Sequence, residues 1–99
     1  MMYDLLFHPK AEAEFLEAIN WYDKQQVKLS NQFIDKVDLI LLELRINPQR
    51  YKIVKKQFHE ALVDVFPYVI TYKILEAEKI VFISAIFHTS RNPKQKFRK

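Results

Sequence analysis

Residues 66–93 read FPYVITYKILEAEKIVFISAIFHTSRNP. Two runs in it, 68–75 and 79–87, are dense in β-branched and aromatic residues, the composition of strands. Only Glu76-Ala77-Glu78 separates them, so they are expected to pair as antiparallel neighbours. The second run is apolar on both sides if it alternates regularly. Ile80, Phe82, Ser84 and Ile86 fall on one side, and Val81, Ile83, Ala85 and Phe87 on the other. A strand of that kind is covered on both faces, so the chain must supply or recruit two covers. Just past the strand end stand His88, Arg91 and Pro93, which puts a titratable ring and a guanidinium at a fixed place.

Upstream, the first cover is legible. Tyr3 to Phe7 reads as a short strand. His8-Pro9 then opens a helix, because proline at the first helical position loses no hydrogen bond. Ala11, Phe15, Ala18, Ile19 and Tyr22 recur at helical spacing. Ser30 is the expected N-cap of a second helix, with Phe33, Val37, Ile40, Leu41 and Leu44 as its buried stripe. Asn47-Pro48 ends it. The short connection predicts an antiparallel helical hairpin. Strand character resumes in Lys52 to Phe58 and in Leu62, Val63, Val65 and Phe66. The expected fold class is α+β: an N-terminal strand, then the hairpin packed on one face of a mostly antiparallel sheet of about four to five strands. The second face is left to the tail, another subunit or a partner segment.

The 99 residues are read as one domain, 1–99, with 92–99 a basic C-terminal tail. Glycine is absent, which excludes Gly-rich phosphate loops, and so is cysteine, which excludes disulfides and thiolate metal sites. No apolar run is long enough to span a bilayer, and Met1-Met2-Tyr3-Asp4 lacks the basic start of a signal peptide. A cytoplasmic protein without membrane partners is expected. Residues 1–47 carry five Lys/Arg against eight Asp/Glu, a balance of −3, whereas residues 48–99 carry eleven against four, a balance of +7. The second half should therefore favour polyanions or an acidic protein.

The candidate chemistry lies in that second half. RNA cleavage would need a base for the 2′-hydroxyl, cations for the phosphate and an acid for the leaving oxygen. His88 is the acid or base candidate because its ordinary pKa lies near working pH, and Arg91 stands beside it. Lys55, Lys56 and His59 are candidate cations, Tyr68 and Tyr72 candidate stacking residues, and Lys94 and Arg98 candidate contacts of the tail. Structural alternatives stand beside each. His88 can simply fix the tail, Arg91 can pair with a helix carboxylate, and Lys55-Lys56 can protect a sheet edge. Phe97 points to a docked tail, while Trp21, Tyr22, Phe66 and Tyr68 read as packing residues. His8, His59 and His88 fall on separate elements without paired ligand spacing, so neither a metal nor another cofactor is expected.

Several residues in order carry a resemblance. They are Trp21-Tyr22 late in the first helix, Phe33 early in the second, Asn47-Pro48 at its end, Ala61-Leu62, Phe66-Pro67-Tyr68, Tyr72, and then His88, Arg91 and Pro93. Together they resemble the RelE/ParE superfamily of type II toxin–antitoxin toxins, on the ParE-like side often called plasmid stabilisation proteins. The resemblance implies a growth-inhibiting toxin silenced by a cognate antitoxin, whose C-terminal segment would wrap it as a toxin–antitoxin hetero-oligomer; a homodimer is an alternative. It implies DNA gyrase as target, bound without an active site. The alternatives are RelE-like cleavage of mRNA on the ribosome and an inactive relative that only binds antitoxin. Whether the protein is an enzyme therefore stays open. The chain departs from the pattern at His8, where serine is usual, and at His59, where arginine often precedes Glu-Ala-Leu.

Overall fold

A computed structural model describes residues 2–98. In chain order the elements are β1 (Asp4–Phe7), α1 (Pro9–Gln25), α2 (Val27–Ile46), β2 (Ile53–Lys55), β3 (Phe58–Leu62), β4 (Tyr68–Leu75) and β5 (Ile80–His88). Single 3₁₀ turns follow α2 (Pro48–Arg50) and β5 (Pro93–Gln95). The five strands form one sheet in the order β1-β5-β4-β3-β2. Only the β1–β5 pair is parallel; the others are antiparallel. This is the α+β arrangement that the sequence predicts.

The helices form where the apolar stripes fall. His8 serves as N-cap of α1, its Nδ1 accepting from the Lys10 amide at 3.0 Å, so the ring does what serine does at this position. The second helix starts earlier than expected. Gln26 alone is extended, and α2 begins at Val27. Ser30, expected as N-cap, lies inside the helix and is buried, its hydroxyl donating to Asp23 and to the Val27 carbonyl. Phe15 and Tyr22 both touch Phe33, with ring centroids 5.9 and 5.3 Å apart, as antiparallel helices require. The hairpin packs on one sheet face. Its core holds Ala11, Ala18, Phe33, Val37 and Leu44 from the helices and Ile70, Tyr72, Val81, Ile83 and Ile86 from the strands.

Two strand expectations are corrected. The 52–58 run is broken by a turn at Lys56-Gln57, with Lys56 at φ 51°. Residues 63–66, expected to be strand, form a loop with Pro67 instead. Asp64 and Pro67 oppose strand pairing, and Val65 sits at φ 75°, a region that a β-branched side chain rarely enters.

The regular alternation expected for β5 also fails. Thr71 pairs with Ala85 but Tyr72 pairs with Ile83, so Ser84 is an extra residue, a β-bulge. The bulge swaps the faces. Val81, Ile83 and Ile86 enter the helical core, while Ala85 and Phe87 join Val69 in a second cluster on the other side.

The second cover is the tail. β1 accompanies β5 only as far as Ile83, so the next stretch of β5 has a bare edge. Glu14 of α1 accepts the Ile86 amide there at 3.1 Å. The same carboxylate grips Arg98 through two bonds, 3.0 and 2.8 Å long. Ser84 at the bulge donates to the Lys96 carbonyl at 2.6 Å and accepts from the Arg98 amide at 2.7 Å. Lys96 pairs with Glu60 at 2.6 Å, and Phe97 packs against Phe58. Lys99, counted in the tail, lies outside the described residues.

Candidate functional site

The fold leaves one open trough where the ends of β4 and β5 meet α1. It is lined by Glu14, Glu17, Trp21, Tyr68, His88 and Arg91, and continues over Tyr22, Pro67 and Ser90. Its floor is set by an aromatic cluster. Tyr22, Phe33, Phe66 and Tyr68 meet at centroid distances between 5.0 and 6.3 Å. Tyr68 pairs with His88 across the two strands, and the rings meet edge to face at 5.0 Å. Burial, with Tyr22 second, pushes the Tyr68 hydroxyl above its ordinary pKa, so it stays a neutral donor.

A tight turn holds the cationic end. The Ser90 amide and hydroxyl lie 3.1 and 2.7 Å from His88 Nδ1. Since the amide must donate, Nδ1 is the acceptor. The neutral ring therefore carries its proton on Nε2, an assignment that follows from the bonding pattern. The Arg91 amide donates to the His88 carbonyl at 3.1 Å, placing its side chain over α1. There it makes a loose pair with Glu17 at 3.9 Å, and both side chains are more than half exposed. Such a pair is worth at most about 1 kcal/mol and leaves the guanidinium free to change partners. Trp21, read from the sequence as packing, is 58% exposed on the trough wall.

The other candidates go elsewhere. His59 is buried, its Nδ1 2.7 Å from the Tyr51 carbonyl, and it stacks on Tyr72 at 5.0 Å with planes 13° apart. Tyr72 is fully buried and donates to the Pro48 carbonyl at 2.6 Å, and burial drives its pKa far upward. Both residues belong to the interior rather than to an open site. Arg98 is held by Glu14, whereas Lys94 is exposed on the turn after β5. Lys55 and Lys56 border a small hollow with Gln57, Phe58 and Phe97, and the Lys55 ammonium lies 5.0 Å from the Phe97 ring centroid.

That hollow is far from His88. Phe58 lies level with Phe82 in the sheet, six residues before His88, which is about 20 Å along the strand. His88 and the two lysines do not share one site. The trough brings together His88, Arg91 and Tyr68. It adds Glu14, Glu17 and Ser90, which sequence reasoning did not propose for the site, and Trp21, which it read as packing. A signal for Glu17 and Trp21 existed: they are four residues apart on α1, on the side away from the apolar stripe.

Chemically the trough is suited to recognition rather than to enclosing a small molecule. Its two hollows measure about 160 and 380 Å³ and open to solvent, one well below and one near the floor of the ~300–1,000 Å³ range of small-molecule pockets. It presents an indole, a phenol, an imidazole N–H, a guanidinium and carboxylates. That set suits an apolar anchor flanked by charges on a protein partner. Among the described residues, no three His, Asp or Glu gather as metal ligands, and no helix is long and apolar enough to cross a membrane.

A family model described as the ParE toxin of the type II toxin–antitoxin system parDE matches residues 5–93. The match takes in both helices, all of the sheet but Asp4, and the trough as far as Arg91. No curated protein matches the chain.

Proposed function

The chain belongs to the ParE toxin family of type II toxin–antitoxin systems, and on that premise we propose that it arrests growth by binding DNA gyrase through the His88–Arg91 trough, until a cognate antitoxin covers it. The observation that carries this reading is the state of the trough. Its aromatic walls are open to solvent, and its guanidinium is only loosely held. A protein target offering an apolar side chain and a carboxylate would fill it, with Arg91 exchanging Glu17 for the target's carboxylate. No acid–base pair is needed for such an act, which agrees with the distance between His88 and the lysines. The antitoxin's role follows from the family and from an acidic segment matching the +7 balance of residues 48–99.

The test is a supercoiling assay with purified gyrase and purified protein. The expected outcome is inhibition or trapped cleavage complexes, lost in Arg91→Ala and Trp21→Ala. Untouched supercoiling at large molar excess sinks the gyrase reading.

A second reading has its own observation. The Lys55, Lys56, Phe58 and Phe97 hollow joins cations to an aromatic ring, the pairing used to hold single-stranded RNA. On that reading the protein acts on ribosome-bound mRNA. Pulse labelling after induction separates the two: DNA synthesis falls first under the gyrase reading, protein synthesis first under the RNA reading.

A further inference from the structure

The outer side of α2 is not an ordinary solvated helix face. Leu39, Leu42 and Ile46 are 60, 49 and 61% exposed. Their alternating spacing of three and four, continued upstream by Asp35, makes a straight seam opposite the buried stripe. Asp38 and Arg45 flank it on one side, Lys36 and Glu43 on the other. A shallow hollow bounded by Asp35, Asp38, Leu39 and Leu42 lies on this seam. A second hollow beside it is formed by Gln32, Asp35, Lys36, Val65 and Phe66. Val65 there is 81% exposed although its backbone is held at φ 75°. Strain that displays an apolar side chain to solvent calls for a use.

We propose that this face is a homodimer interface, in which the α2 helices of two copies pack antiparallel about a twofold axis passing between Leu39 and Leu42. A twofold interface must be complementary to itself, and the charges here are. Under this operator Leu39 meets Leu42 of the second copy, and Leu42 meets its Leu39. Asp38 faces Arg45 of the second copy, and Lys36 faces its Glu43; each contact occurs twice. Ile46 of the second copy falls toward the hollow of Val65 and Phe66. A parallel pairing would instead set Asp35 against Asp35 and Asp38 against Glu43. Arg45 also has a partner within the chain, its Nε donating to the Tyr3 carbonyl at 3.0 Å, which leaves its two terminal amines for the second copy. Lys36 and Glu43 pair within the chain with Asp64 and Arg50, whereas Asp38 makes no such ion pair among the described residues, so Asp38 carries more of the specificity.

Four apolar side chains per copy make a small interface, below the ~1,200 Å² of stable complexes, so the dimer is transient and fills at high protein concentration. This inference does not depend on which target the toxin binds.

The chain has no cysteine, which allows a directional test. Leu39→Cys and Leu42→Cys are made singly in the full chain, mixed at high concentration and oxidised. The antiparallel dimer gives the mixed cross-link several-fold over either self-linked product. Dominant self-linked products, or no cross-link, overturn it. Sedimentation equilibrium of the unmodified protein gives an independent reading. The mass should rise from 12.0 kDa toward twice that value with concentration. Asp38→Lys should weaken the association about tenfold or more, with the circular dichroism unchanged because Asp38 is exposed. A constant monomer mass, or a seam shielded from thiol reagents only when antitoxin is added, refutes the proposal.

Discussion

Arg91 and Arg98 lie seven residues apart in one basic stretch, yet they end in opposite conditions. Arg98 is 15% exposed, gripped through two bonds by a carboxylate that is itself 12% exposed. Arg91 is 53% exposed and 3.9 Å from a carboxylate that is 71% exposed. The difference lies in what faces them. Glu14 is fixed by the bare edge of β5, whose Ile86 amide it must satisfy, so it is a preformed anchor. Glu17, one turn later on α1, has no such duty. A cation becomes framework or site according to whether its partner is already committed to the backbone.

The sharpest way to break this contrast is Glu14→Ala. It strands Arg98 and the Ile86 amide together, at a cost of about 2–4 kcal/mol. For a chain this small the melting temperature should drop by roughly 10–25 °C in calorimetry.

Tyr72→Phe comes next. It leaves the Pro48 carbonyl unpaired in the interior and should cost about 1–2 kcal/mol by urea titration at neutral pH. It also carries a pH signature. Burial raises the Tyr72 pKa in the folded state, so the stability of the native protein is intact below about pH 10. Above that the unfolded tyrosine ionises first and stability is lost. Tyr72→Phe should lose less between neutral pH and pH 11 than the native protein does.

Lys96→Met should cost about 1–2 kcal/mol, since it removes the charged partner of a largely buried Glu60, which keeps only its bond from Thr71. Smallest of all, Arg91→Ala should shift stability by no more than about 0.5 kcal/mol, while relieving growth arrest on induction. If Arg91→Ala unfolded the protein, or left arrest untouched, the trough would lose its claim to be the site.

Much of the fold is legible in the residue pattern. The two helical stripes, the Pro9 and Pro48 boundaries and the β4–β5 pair all follow from local preference and period. What is not legible is register. The Ser84 bulge depends on how β4 and β5 align over their length, and it decides which of Ile86 and Ala85 enters the core. The tail's docking follows from that bulge and from Glu14, far away in the chain, although Phe97 hinted at it. His59 and Tyr72 looked like surface chemistry because their types are polar. They are interior because the loop around Pro48–Tyr51 offers them carbonyl partners, which only the tertiary fold reveals. At the trough His88, Arg91 and Tyr68 were readable; its α1 wall showed only in the spacing of Glu17 and Trp21, since exposure of Trp21 depends on where the strands stop.

The parallel pairing of β1 with β5 has a consequence for how the molecule assembles. Every other strand contact joins neighbours in the chain, and these can zip up quickly from local hairpins. β1 finds its place only after β5 is laid down at the far end of the chain, a loop closure that is entropically slow. The edge formed last is expected to open first. Amide exchange should therefore be fastest along β1 and slowest across β4 and β5, so that partly open molecules in a folded population expose Val81 and Ile83 long before they disturb the trough.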